Sequence, residues 1–331
     1  MATRSAWLQA RREALWAQPS FRFIPDVVFP EPPADARADR DGDAARVAFC
    51  GFPSDYSLAF LLALLDLDVE VVAIITSPGA HPVITGTNAL SQIADHVDVP
   101  LLRMWRVNDE HSRLDLTSLD LDGVVMASFD QIIGARALAI PKNGWLNVHP
   151  SALPQYRGPE PVYWVIADGE ARSGITLHRA VPKFDAGPVL AQSLVDVRPD
   201  DTSGTLTRRL SAAGTEVLGK AVSRLLAGDP GEPLDLSRAT YRPSVGHRRL
   251  DTAPDAATAE RMVRAGEPNM PAWTLLNGAP VYVHAAQVAP DCGPAGLRFV
   301  DDCLRFTRYE SVCGCHHDAV DCPHLEGWLQ D

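Results

Sequence analysis

The chain is 331 residues long, 46% hydrophobic and 22% charged, with a formal charge of −12 at pH 7 and a sequence pI near 5.3. That composition describes a soluble globular protein long enough for two domains, each with its own core. The acidic balance opposes a nucleic-acid partner, whose affinity rests on Lys and Arg displacing counterions, and no run approaches the roughly 18 apolar residues of a membrane span.

Residues 1–45 read as an extension. Ala6 to Trp16 is a helix candidate carrying Arg11, Arg12 and Glu13, unlike a signal-peptide core, so the expected location is the cytoplasm. Pro25, Pro30, Pro32 and Pro33 with the charged run Asp35 to Asp43 have the composition of a linker. From Arg46 short apolar strands alternate with helices. Val47 to Cys50 is the first strand, and Ser54 is placed to cap a helix over Tyr56 to Leu65. Val69 to Ile75, Val99 to Leu102 and Gly123 to Ala127 are further strands, with helices expected over Asn88 to His96 and Gln131 to Ala139. This alternation predicts an α/β fold, a Rossmann-like, mainly parallel sheet covered on both faces, with ligands beyond the carboxyl ends of its strands.

Next, Gly144-Trp145-Leu146 reads as a buried strand running into Asn147-Val148-His149-Pro150-Ser151. Residues two apart on a strand share a face, so Asn147 and His149 point the same way at the sheet edge. An amide donor beside an imidazole suits acyl transfer. Taken singly, a strand-end His is most often a satisfied structural group and an Asn a turn-former. A helix over Pro161 to Ala167, strands at Gly174 to His178 and Val189 to Gln192, and an amphipathic helix over Thr205 to Ala227 follow. Between those two strands Phe184-Asp185-Ala186-Gly187 puts an acid on a Gly-containing loop; such an Asp commonly caps a turn.

Residues 229–250 are rich in Pro, Gly and Arg and are expected to be a linker between a catalytic domain at 46–228 and a small C-terminal domain at 251–331. The latter carries a helix over Ala256 to Ala265, a hairpin through Asn277-Gly278 and short strands at Leu297 to Val300 and Leu304 to Phe306, and is read as mainly β, a small barrel. Five of the six cysteines follow residue 290. Cys313, Cys315, Cys322 and His324 could ligate a structural zinc, with Cys303 or a neighbouring His as substitutes, or remain free thiols or a redox-labile pair.

Asn147-x-His149-Pro-Ser-x-Leu-Pro-x-Tyr156-Arg157-Gly158, Gly174-Ile175-Thr176, Phe184-Asp185-Ala-Gly-Pro-Val-Leu and Asp201-Thr202-Ser203-Gly204-Thr205-Leu206 together resemble the 10-formyltetrahydrofolate-dependent formyltransferases. The resemblance covers roughly residues 46–228, and more weakly the C-terminal part. It implies 10-formyltetrahydrofolate as co-substrate. It also implies that Asn147 and a protonated or donor-tautomer His149 stabilise the developing oxyanion, while Asp185 orients His149 and takes the proton of the attacking amine. It further implies a pterin pocket from Met126, Ala127, Ser128, Phe129 and Ile133 on one loop and Val181, Lys183 and Phe184 on another. For Met126, Phe129 and Ile133 plain core packing is an equal expectation.

The tRNA-acting members of that family carry a basic insertion after the second strand. Here Ser77 to Gly86 holds no Lys or Arg, and residues 200–331 hold 13 Lys and Arg against 18 Asp and Glu. A small-molecule amine is therefore the expected acceptor, in preference to methionyl-tRNA, with Tyr156 as a candidate contact and Arg157 and Arg179 either pairing an acceptor carboxylate or phosphate or serving as ordinary surface or loop-bracing residues. The same three catalytic residues would serve a formyltetrahydrofolate hydrolase, and a folate-binding regulatory protein would keep the pocket without turnover.

Overall fold

The computed structural model describes residues 4–22, 44–78, 89–246 and 248–311. Two compact units are defined: residues 1–158, 173–195 and 207–241 form the first, and 159–172, 196–206 and 242–331 the second. Residues 229–241, expected as linker, thus cluster with the first unit, where Glu232 pairs with Val189 and Tyr241 with Arg157.

Unit 1 is built on a seven-stranded sheet in the order β3-β2-β1-β4-β5-β6-β7. The strands are β1 (Arg46–Gly51), β2 (Glu70–Thr76), β3 (Leu101–Arg103), β4 (Gly123–Ala127), β5 (Trp145–His149), β6 (Arg172–Arg179) and β7 (Val189–Asp196). The first five pair in parallel and β6 runs antiparallel to β5. Buried runs such as Val47 to Cys50 and Val124 to Ala127 are continuous because helices cover both faces. The expected α/β architecture is therefore present.

Helices α1 (Arg4–Ala17), α2 (Asp55–Leu64), α3 (Ala89–Val97), α4 (Glu110–Ser118), α5 (Ala135–Leu138), α6 (Pro161–Ala167), α7 (Ser203–Leu226) and α8 (Ala256–Gly266) complete the order. Ser54 caps α2 by accepting from the Ser57 N–H at 3.2 Å. The described part of the extension, residues 4–22, packs within unit 1: Leu15 and Phe21 are fully buried, Trp7 stacks on His96, and the Arg22 N–H donates to the Asp55 carboxylate at the start of α2. Helix α4 was not expected; Asp109 caps it, accepting from the Ser112 N–H, yet few of its residues are buried. The helix expected from Gln131 begins only at Ala135. Gln131 instead holds the loop after β3, accepting from the Val107 N–H and donating to the Met104 carbonyl.

Unit 2 carries a four-stranded sheet in the order β10-β11-β9-β8, from β8 (Ala272–Leu276), β9 (Ala279–Ala289), β10 (Gly296–Arg298) and β11 (Cys303–Ser311). The expected barrel is thus an open antiparallel sheet, with α8 laying Ala259 and Val263 into a core with Val281, Val283, Leu304 and Phe306. Asn277 and Gly278 both take left-handed φ, 52° and 85°, as a two-residue hairpin requires. Cys303 is bonded to Cys292 and so is not a spare metal ligand. Cys313, Cys315, Cys322 and His324 lie outside the described residues. Among the described residues no helix is long and apolar enough to cross a membrane, and no cluster of metal-ligating side chains forms.

Candidate active site

The order of the sheet reverses between β1 and β4, and the carboxyl ends of the strands there form the crevice in which α/β proteins hold ligands. β5 lies next to β4, so its last residues, Asn147 and His149, stand at that end of the sheet. Asp185 comes to them from the loop between β6 and β7, within the same unit.

Three observations explain how that loop reaches back. Gly187 lies so close to β6 that a Cβ there would sit 1.7 Å from the Arg179 carbonyl oxygen, so no larger residue fits without moving the loop. Asp185 itself is left-handed at φ 45°, a conformation costing of order 1 kcal/mol outside glycine and tolerated best by Asn and Asp. Arg157 then clamps the loop through Nε and a terminal nitrogen, both donating to the Phe184 carbonyl. Arg157, expected from the sequence as an acceptor contact or a loop brace, thus donates to the loop that carries the aspartate.

The carboxylate of Asp185 is 7% exposed and accepts from two donors, the Gly158 N–H to Oδ2 at 2.9 Å and the Asn147 Nδ2 to Oδ1 at 3.2 Å. Its other neighbours are imidazoles: His149 Nδ1 lies 3.7 Å from Oδ2, and His178 Nε2 lies 3.7 Å from Oδ1. Burial opposes ionisation of Asp185, yet the acid is held below the usual carboxylate range, the Gly158 N–H being one of the groups that favour its charge.

His149 is 5% exposed, and its Nε2 lies 2.9 Å from the carbonyl of Tyr156, itself left-handed at φ 56°. A carbonyl can only accept, so Nε2 carries the hydrogen and the neutral ring presents a lone pair at Nδ1 toward Asp185. Burial lowers the histidine below its ordinary value of 6.5, against the pull of Asp185. At neutral pH this ring is uncharged, with its one hydrogen committed. Nδ1 thus faces Asp185 as an acceptor, with the ring's hydrogen on the Tyr156 carbonyl.

Behind the strand, the Tyr56 hydroxyl on α2 donates to the Val148 carbonyl at 2.9 Å, and burial and the Asp185 charge keep the phenol protonated. Two residues that the sequence reading passed over therefore face the site, Tyr56 and His178. His178 had been seen only as the end of a strand. Its signal lies in the register, because β6 pairs it directly with Asn147.

The expected pterin loops are both present in unit 1. Met126 and Ile133 belong to the sheet core, with Phe129 packed against it. Ala127 is fully buried, and its carbonyl accepts from the Ser57 hydroxyl, while the Ser128 carbonyl accepts from the Phe52 N–H. Ser128 is left-handed at φ 58°. Val181 is half-buried, and Lys183 and Phe184 are exposed on the loop that also carries Asp185. Tyr156 faces the motif through its backbone, its N–H donating to the Thr240 hydroxyl.

An amide, an imidazole and a carboxylate gathered at the edge of a mainly parallel sheet are groups that suit an α/β group-transfer enzyme acting at a carbonyl. The comparisons narrow the class. Residues 58–222 match the formyl transferase family. The chain is 35% identical over 255 residues to a methionyl-tRNA formyltransferase of Roseiflexus castenholzii, covering 74% of this chain and 80% of that one. Among solved structures, a sugar N-formyltransferase from a Shewanella species superposes with a TM-score of 0.58 at 19% identity, over 74% of this chain and 99% of that one. HypX from Aquifex aeolicus in complex with tetrahydrofolic acid superposes with a TM-score of 0.58 at 17% identity, over 82% of this chain but only 45% of HypX. The chain belongs to the formyl transferase family and is a folate-dependent formyltransferase.

Proposed function

We propose that the protein moves the formyl group of 10-formyltetrahydrofolate to the amine of a small-molecule acceptor: an amino sugar, an amino acid or a related metabolite. The observation that carries the acceptor class is where the positive charge goes. In unit 2, Arg242 pairs with Asp168, Arg249 with Asp251, Arg264 with Glu260, Arg305 with Asp291 and Arg308 with Glu267. Guanidinium groups already matched by carboxylates release few counterions on meeting a phosphate backbone, and the chain as a whole carries −12.

The co-substrate supplies an activated formyl group. Ser128, Phe129, Val181, Lys183 and Phe184 would hold its ring system. The fit rests on two loops of unit 1 that carry the partly exposed aromatic rings of Phe129 and Phe184, a common lining of such a pocket. Ala127, fully buried, contributes shape.

The residues then divide the work. Asp185, ionised and reached by few competing donors, takes a proton from the attacking amine as the new N–C bond forms. Asn147 supplies the donor to the formyl oxygen as negative charge develops there. Both amide hydrogens are bonded at rest, and the one on Asp185, at 3.2 Å, is released as that carboxylate gains its proton. His149 Nδ1, unprotonated and 3.7 Å from Asp185, relays the proton toward the departing nitrogen, closing the balance of bonds and protons.

A second reading, an aminoacyl-tRNA acceptor, is favoured by the names of the curated relatives. Mass analysis after incubation with 10-formyltetrahydrofolate and either a panel of small amines or charged initiator methionyl-tRNA separates the two. Formylated small amine with unmodified tRNA is the expected outcome. Formyl-methionyl-tRNA with no formylated small amine would replace this reading with the second.

A further inference from the structure

We infer that His178 is a positioning residue that fixes the orientation of the Asn147 amide, an assignment resting on the formyl-transfer reading above. Unlike the three motif residues, it carries no signature in the sequence; the topology produces it. β6 runs antiparallel beside β5, and the register sets His178 directly opposite Asn147. Directly opposed residues share a face, with Cβ atoms roughly 5 Å apart, close enough for an imidazole to reach an amide.

The tautomer follows from the partners. His178 Nδ1 lies 3.0 Å from the carbonyl oxygen of Arg179, which can only accept, so Nδ1 holds the hydrogen. With a single hydrogen on the ring, the lone pair lies at Nε2, 3.1 Å from Asn147 Nδ2. The amide nitrogen has two hydrogens: one goes to that lone pair, the other to Asp185 Oδ1. Flipping the amide would turn its carbonyl oxygen toward a carboxylate and an imidazole lone pair at once. One orientation is therefore strongly preferred.

The consequence concerns which hydrogen is free to work. His178 is 2% exposed and touches Asn147 and Asp185, so it acts through them rather than as a catalytic residue itself. It anchors one N–H of Asn147, leaving the hydrogen on Asp185 as the one a formyl oxygen can take over. Without the anchor the amide can turn on its side-chain torsion, and the donor is no longer preorganised. A satisfied core histidine with no such role would cost stability when replaced and leave the chemical step alone.

The experiment compares His178→Leu, which cannot accept a hydrogen bond, with His178→Gln, whose carbonyl oxygen can. Expected for His178→Leu is a fall in kcat on the order of 100-fold with KM for 10-formyltetrahydrofolate changed less than about 3-fold, and recovery of roughly 10-fold of that loss in His178→Gln. Nitrogen NMR of the wild-type imidazole should show Nδ1 protonated and Nε2 bare at neutral pH. A folded His178→Leu variant with wild-type kcat overturns the assignment, as does an Nε2-protonated ring. Should the leucine variant fail to fold, the glutamine variant and the wild-type tautomer decide. Absence of formyl transfer by the wild-type protein would instead refute the proposed function, while the tautomer is read independently of it.

Discussion

Replacing Asp185 with Asn changes one atom and separates the charge from the shape. In the wild type both carboxylate oxygens accept, from the Gly158 N–H at 2.9 Å and from Asn147 Nδ2 at 3.2 Å. An amide keeps one acceptor and turns the other into a donor, so whichever way it sits, one buried donor meets another. An unsatisfied buried donor costs about 1–3 kcal/mol, and we predict that loss in urea unfolding of Asp185→Asn. The chemical cost is larger. The base for the attacking amine is gone, and the partner that orders Asn147 is now mismatched, so kcat should fall by about 100- to 10,000-fold with little change in folate KM. The assay is the release of tetrahydrofolate in the presence of a working acceptor. If Asp185→Asn keeps kcat within about 10-fold of wild type while remaining folded, Asp185 is not the proton acceptor and the reasoning fails.

The remaining tests probe other parts of the account. Burial lowers His149, so the neutral base persists below the ordinary histidine value, and the acid limb of kcat/KM should lie below pH 6.5; a limb at or above that value contradicts the neutral assignment. By the same shift, the fold resists charging His149, so its contribution to stability is complete above pH 6.5 and is lost as pH falls toward the lowered value. A melting temperature independent of pH between 7 and 5 would count against it. Gly187→Ala places a Cβ 1.7 Å from the Arg179 carbonyl oxygen and must displace the Asp185 loop, lowering kcat on the order of 100-fold; unchanged turnover would show that the loop position does not matter. Phe21→Ala should destabilise unit 1 by about 3–5 kcal/mol, and a loss under about 1 kcal/mol would mean the extension is not packed as described.

Much of the sheet was legible because buried parallel strands are short, continuous apolar runs, and Val47 to Cys50 or Val124 to Ala127 can hardly be read otherwise. Helix α4 was missed for the opposite reason: it buries only Ser112 and Leu116, too little to create an apolar stripe. The late start of α5 depends on Gln131 and Asn108 spending their side-chain amides on stitching two loops, a tertiary choice with no local signal. Asn147, His149 and Asp185 were found through their motifs, whereas His178 and Tyr56 depend on strand register and on helix packing. For Arg157 the charge alone leaves acceptor contact and loop bracing both open, and only the structure shows its bond to the Phe184 carbonyl. The linkage of Cys292 to Cys303 likewise depends on the register that sets Cys303, at the start of β11, opposite Ala289 at the end of β9.

The most direct test follows the formyl carbon itself. With an isotope label in the formyl group of 10-formyltetrahydrofolate, carbon NMR of the reaction mixture shows where that carbon ends. The account predicts a formamide resonance on a small-molecule amine, appearing only when both enzyme and amine are present and disappearing in Asp185→Asn. Labelled free formate released without any amine would make the protein a hydrolase, and label retained on the folate with every acceptor would contradict the account outright.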